Sequence, residues 1–190
     1  MNQQNFTQQH LETNGRHSTL QILLLLLFTL FLATPVLAQD SSKFAVYGDV
    51  GVAVPHGDSS TFLDPGFSLN AGLEYMITKQ FSAEGTFGYN RFSNRFSTFF
   101  GDASHVYQLS GNGKFYFVDE SSKVRPFING GVGAYVTDSA TVHFGGNVGG
   151  GVLYEITPKW GIQGSYNFHT FSAGSNVKYS TVQGGVRFRF

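Results

Sequence analysis

Three groups of side chains in this 190-residue sequence have the types and spacing for chemistry. In Phe168-His169-Thr170-Phe171-Ser172 a histidine precedes a serine by three residues, a base and a nucleophile in outline. On a regular strand that spacing sends the two side chains to opposite faces. They would meet only across a bulge or the following loop, and the nearest acid, Glu155, falls at the far end. Glu74 and Glu84 flank a tight turn at Thr78-Lys79 that sets them opposite each other. Paired carboxylates serve glycoside hydrolysis, but no substrate cleft accompanies these, and buried ion pairs perturb carboxylates equally well. His56, His105, His143 and His169 all fall near one end of the predicted elements without a short ligand spacing. They read as polar rim residues, with no metal and no cofactor expected.

Alternation governs the elements that carry these groups. Beyond residue 39 the sequence runs with period two, and no sustained pattern of period 3.6 appears. Eight strands are predicted, at 44–54, 66–77, 80–92, 105–118, 125–136, 141–156, 159–171 and 178–190, each long enough to cross hydrocarbon at a tilt. Long connections at 55–65, 93–104 and 172–177 gather at one end, with a short one at 137–140. Tight turns at Thr78-Lys79 and Thr157-Pro158 gather at the other. The 24 Gly, 20 Phe and 9 Tyr against 13% charged residues fit a β protein of this kind. Twelve bases balance twelve acids, which argues against a nucleic-acid partner. The absence of cysteine removes disulfide scaffolds and thiolate sites.

In the last strand Val182, Gly184, Val186, Phe188 and Phe190 share one face; Thr181, Gln183, Gly185, Arg187 and Arg189 share the other. The polar face is rich in Gly, Ser, Asn, Gln and Thr but poor in charge, an unsuitable surface for a soluble protein. It suits the lumen of a narrow barrel, where eight strands leave room only for side chains. The expected arrangement is therefore apolar outward and polar inward. Tyr75, Phe81, Phe117, Tyr154, Trp160 and Phe188 then form an aromatic girdle near the turn end. Parity points Asp49, Glu74, Glu84, Lys114, Glu155, Arg187 and Arg189 into the lumen toward that end. Isolated charges there are costly, so they are expected to pair into a network closing the bore, with Lys114, Arg187 or both relieving the Glu74–Glu84 repulsion.

Residues 72–87 align without a gap to residues 151–166, two hairpins that share a Gly-x-x-Tyr-x-Ile-Thr approach to the turn and an aromatic residue, Phe81 or Trp160, leaving it. Ahead of the strands, Ile22 to Ala33 is apolar except for Thr29 and is followed by Val36 and Ala38 at the positions signal peptidase favours. This predicts a signal peptide over residues 1–38, cleavage before Gln39 and one barrel domain over 39–190. The leader, the eight strands, the two hairpins, the Arg125-Pro126-Phe127-Ile128-Asn129-Gly130-Gly131-Val132-Gly133 segment and the terminal Phe190 resemble the OmpA/OmpX-type outer-membrane β-barrel domain family. The resemblance covers essentially the whole chain after the leader. It implies an all-β, eight-stranded antiparallel up-and-down transmembrane β-barrel of the bacterial outer membrane, with Phe190 read by the barrel assembly machinery through the C-terminal strand.

That family mixes structural proteins, adhesins and serum-resistance proteins. The role expected here is non-enzymatic: a monomer serving envelope integrity or surface interaction, in contact with outer-membrane lipid and lipopolysaccharide. A narrow porin is the alternative. A lipid A-modifying enzyme is a further one, because His169 and Ser172 resemble the pair of the outer-membrane lipid A deacylases, whose motif sets them two apart rather than three. Residues 91–100 interleave bases with aromatics, offering Arg91 and Arg95 to lipopolysaccharide phosphates and Phe96, Phe99 and Phe100 to acyl chains or protein. An upper aromatic girdle with solvated arginines reads the same strip equally well.

Overall fold

The computed structural model describes residues 43–94, 103–138 and 140–190; the leader with its expected cleavage site, and Arg95, Phe96, Phe99 and Phe100, lie outside the described residues. Eight strands follow one another: β1 (Phe44–His56), β2 (Leu63–Met76), β3 (Phe81–Asn94), β4 (Ala103–Tyr116), β5 (Val124–Thr137), β6 (Val142–Glu155), β7 (Trp160–Ala173) and β8 (Ser175–Arg189). A one-turn helix, α1 (Ser59–Phe62), lies between β1 and β2. Each strand pairs antiparallel with the next, and β8 returns to β1, closing the barrel. Closure pairs the edges of the first and last strands, which in hydrocarbon would otherwise leave a row of unsatisfied N–H and C=O groups.

The alternation read from the sequence is the alternation of the wall. Phe144, Val148 and Val132 are 81%, 61% and 73% exposed on the outside, while Thr181, Gln183 and Arg187 are buried within. Tyr75, Phe81, Phe117, Tyr154 and Trp160 are exposed on the outer face near the turns. Trp160 packs on Phe188 at 4.7 Å.

The repeated hairpins share one turn design. The Thr78 hydroxyl accepts the Phe81 amide at 2.9 Å, and the Ile77 amide donates to the Phe81 carbonyl. In the second hairpin the Thr157 hydroxyl accepts the Trp160 amide at 2.9 Å, and Ile156 donates to the Trp160 carbonyl. A threonine at this position satisfies an amide that the short turn leaves without a backbone partner. In the third turn, between β4 and β5, the Ser121 hydroxyl and amide both donate to Asp119, which holds that carboxyl below its ordinary pKa.

Two connections differ from the expectation. Residues 172–177 form no long loop: the β7–β8 ladder continues through Ser172↔Asn176 and Ala173↔Ser175 and reverses at Gly174. The Ser-Ala-Gly-Ser-Asn composition carries no apolar alternation by which the sequence would mark a strand, and Gly174 makes the reversal with φ +77°. β2 starts at Leu63 rather than 66, with a register shift between Asp64 and Phe67 that accommodates Pro65 and Gly66.

Placing arginine at Val148, on the outer face of β6, is expected to cost about 2–4 kcal/mol of folding free energy in a bilayer, read by reversible urea unfolding in lipid vesicles. A neutral outcome would mean that this face does not meet lipid. Gly174→Val should cost about 1–2 kcal/mol from the left-handed backbone alone, with the spectroscopic strand content unchanged.

Candidate functional site

The bore is filled in layers. At the turn end Met76, Tyr116, Phe127 and Leu153 form a small apolar cluster, and the charged groups are threaded through it. Glu74 and Glu84 face each other across the β2–β3 ladder, and each is met by a different base. Arg187 donates from Nε to Glu74 Oε2 at 2.7 Å, while the hydroxyls of Ser82 and Tyr116 donate to Oε1 at 2.7 and 2.8 Å. Lys114 forms an ion pair with Glu84 and lies over the rings of Phe127 (4.5 Å) and Tyr47 (5.2 Å). Two like charges placed opposite each other thus become two ion pairs.

Nearer the turns Glu155 collects the remaining bases. Arg125 reaches it at 3.2 Å and Arg189 at 3.1 Å, and Arg187 stands 3.9 Å away. Arg189 also meets Glu120 at 3.3 Å. Arg125 is fully buried, stacks over the Tyr116 ring at 4.0 Å and donates to the Lys79 carbonyl at 3.0 Å. The residue reading above omits Arg125. Counting back by twos from Asn129 turns its side chain inward, and that parity is the signal in the sequence that marks it.

Asp49 departs from the expected pattern of charge paired with charge. No base lies within ion-pair distance of it among the described residues; Gln163 Nε2 donates to both of its oxygens at 2.9 Å. It stands further along the bore, opposite Gly185 and Asn70. A methyl group on Gly185 would overlap the Asp49 carboxylate, so this glycine is the space into which the acid folds.

Above the charges the interior is amide and hydroxyl. Asn70 donates to Gln183 at 2.8 Å, Gln183 to Ser68 at 2.9 Å, and Ser68 to Asn90 at 2.6 Å. Asn147 donates to Asn112 at 2.9 Å and Asn129 to Asn167 at 2.8 Å. A second apolar cluster of Ala53, Phe92, Val106, Tyr135, Phe171 and Tyr179 closes the loop end. The interior is therefore not polar throughout, as parity suggested: its two ends are sealed by aromatic residues on the inward face.

The structure also separates the four histidines. His169 is buried in the bore, stacked on Tyr179 at 4.6 Å; His143 stacks on Phe171, His56 bonds Ser180 at 2.7 Å, and His105 pairs with Asp138 at 2.9 Å. His169 thus belongs to the interior and not to the rim. Among the described residues no three His, Asp or Glu side chains gather as metal ligands. Ser172 points outward and is exposed while His169 points in, so the two do not meet. Arg91 is exposed on the outer face of β3, beside His105, whose ring stacks on Tyr89. Phe190 is exposed at the barrel's end, its amide donating to the Phe44 carbonyl at 3.1 Å.

Residues 24–190 match the family described as outer membrane protein beta-barrel domain. No curated protein matches the chain. Among solved structures, neisserial surface protein A is 20% identical with a TM-score of 0.62, covering 77% of this chain and 97% of that one. OprG from Pseudomonas aeruginosa is 10% identical with a TM-score of 0.55, covering 79% and 97%. The attachment invasion locus protein Ail of Yersinia pestis is 14% identical with a TM-score of 0.50, covering 79% and 99%. At these identities the likeness is one of fold.

Lys114→Met alone is expected to cost about 3–5 kcal/mol, because it strands Glu84 in the bore. The double variant Lys114→Met with Glu84→Gln should lose clearly less than the two single losses added together. Urea unfolding in detergent micelles gives the cycle, and strict additivity would show that the pair does not interact.

Proposed function

This chain belongs to the outer membrane protein beta-barrel domain family, and on that premise we propose that it is a monomeric, non-enzymatic barrel of the bacterial outer membrane serving envelope integrity or surface interaction. The turns and both ends of the barrel domain face the periplasm, and the loops face outward. The filled bore carries this reading: among the described residues, ion pairs stand across one end and an aromatic cluster across the other. The opposed faces of His169 and Ser172 support a non-catalytic role, since a base must reach its nucleophile by a hydrogen bond.

Contacts with the surroundings follow from the outer surface. Exposed valine, leucine and aromatic side chains meet lipid. Arg91, with Arg95, Phe96, Phe99 and Phe100 shortly after it in the sequence, grips lipopolysaccharide phosphate and acyl groups. Phe190, at the end of the last strand, is the signal to the assembly machinery. That Ail is named an attachment invasion locus protein agrees with a surface role for a barrel of this fold.

Protein taken from outer-membrane fractions should migrate differently on gels before and after boiling, and its insertion in planar bilayers should be electrically silent. Steady wild-type conductance would overturn the closed-bore reading in favour of a narrow channel. Arg91→Ala with Arg95→Ala should weaken lipopolysaccharide binding by roughly tenfold, the loss of about two exposed charge-assisted contacts. Unchanged binding would leave the strip as an aromatic belt.

A further inference from the structure

Three carboxylates, Glu74, Glu84 and Asp49, follow one another into the bore from its turn end, and two bases answer the first two. Arg187 is bonded to Glu74 and Lys114 to Glu84. Asp49 is left over, 6% exposed, with an amide as its partner. That amide is itself incomplete. Gln163 is 7% exposed, and its Oε1 accepts no hydrogen bond. Across the bore Asn129 Oδ1 accepts none either. All three residues line one cavity of about 30 Å3 in the bore, with Glu84, Lys114 and the hydroxyls of Thr86 and Ser165 also on its wall.

From this convergence we propose that the cavity binds a monovalent alkali cation, held by the Asp49 carboxylate and the Gln163 and Asn129 amide oxygens. Acceptors without donors are the complement of a cation, and a donor set made wholly of oxygen selects a hard one. The charge is set by the cavity's own wall, where two carboxylates, Asp49 and Glu84, face the one base Lys114, so that one positive charge is wanting. Calcium would draw on six to eight oxygens, commonly several of them carboxylates, and Lys114 already adds positive charge nearby. The volume exceeds the ~10–15 Å3 that one water needs, which leaves room for the ion with little of its hydration shell. Gln163 acts as the hinge of the site, its Nε2 orienting Asp49 and its Oε1 facing the ion. The other titratable groups on this wall are engaged elsewhere: Glu84 and Lys114 with each other, and His169 with its ring nitrogens 3.4 Å from the Tyr135 hydroxyl and 3.5 Å from that of Thr181. Tyr47 bonds Thr86 at 2.8 Å.

Folded protein in detergent, crystallised with rubidium chloride as the probe, should show an anomalous peak in the cavity that Asp49, Gln163 and Asn129 line. Unfolding should shift up by about 3–6 °C in sodium chloride relative to choline chloride at matched ionic strength, the effect of filling a site tenfold above its dissociation constant in a domain of this size. Asp49→Asn should abolish both, and Gln163→Met, which keeps the carboxylate, should weaken the shift should Asp49→Asn fail to fold. Asp138→Asn, at the rim, should leave the shift intact. A cavity holding only water, a sodium response unchanged by Gln163→Met, or a peak without any stabilisation would overturn the site. Each of these readouts is separate from gel migration and conductance, so the cation site and the proposed role stand or fall independently.

Discussion

An interior too narrow for bulk water must satisfy every polar group it encloses, and that constraint shapes this barrel more than any single contact. Eight strands closed on themselves leave a bore the width of side chains. Lipid takes the apolar face, so the polar face has nowhere else to go. Each charge placed inside must then meet an opposite charge or a set of hydrogen bonds, since an ion stranded there costs several kcal/mol. The Glu74–Arg187 and Glu84–Lys114 pairs, and the cluster of arginines on Glu155, are the outcome.

The charges would not be held in place by attraction alone. Tyr116 links both arms of the network, donating its hydroxyl to Glu74 and offering its ring face to Arg125. Phe127 lies under Lys114. Aromatic faces accept cations and exclude water at the same time, which strengthens the neighbouring ion pairs. Small residues on the inner wall make this crowding possible: Gly185 admits the Asp49 carboxylate, and Gly151 lies against the Phe127 ring.

The outside obeys a different rule. Its aromatic belt at the turn end is anchored by two hairpins of the same design, each with a threonine capping the turn and an aromatic ring leaving it. At the loop end the β7–β8 ladder continues to Ala173↔Ser175 and reverses at a glycine, and α1 lies between β1 and β2. Solved barrels with 10–20% identity share the wall. What distinguishes such proteins lies in the side chains that loops and lumen carry.

Period-two alternation determined the strands, their number, which face meets lipid and which residues enter the bore, because in a closed sheet inward and outward are fixed by parity alone. The opposition of Glu74 and Glu84 was legible for the same reason: a tight turn sets register. Parity says nothing about who meets whom across the axis. That β8 brings Arg187 to Glu74, that β5 sends Arg125 to Glu155, and that Asp49 meets an amide and no base depend on the tilt and stagger of all eight strands together. The aromatic seals at both ends are not legible in the sequence, where Phe, Tyr and Leu on the inward face look like interruptions of a polar stripe. Only the closed tertiary structure shows them stacked into plugs, since contacts across a bore join residues on different strands, some more than a hundred positions apart.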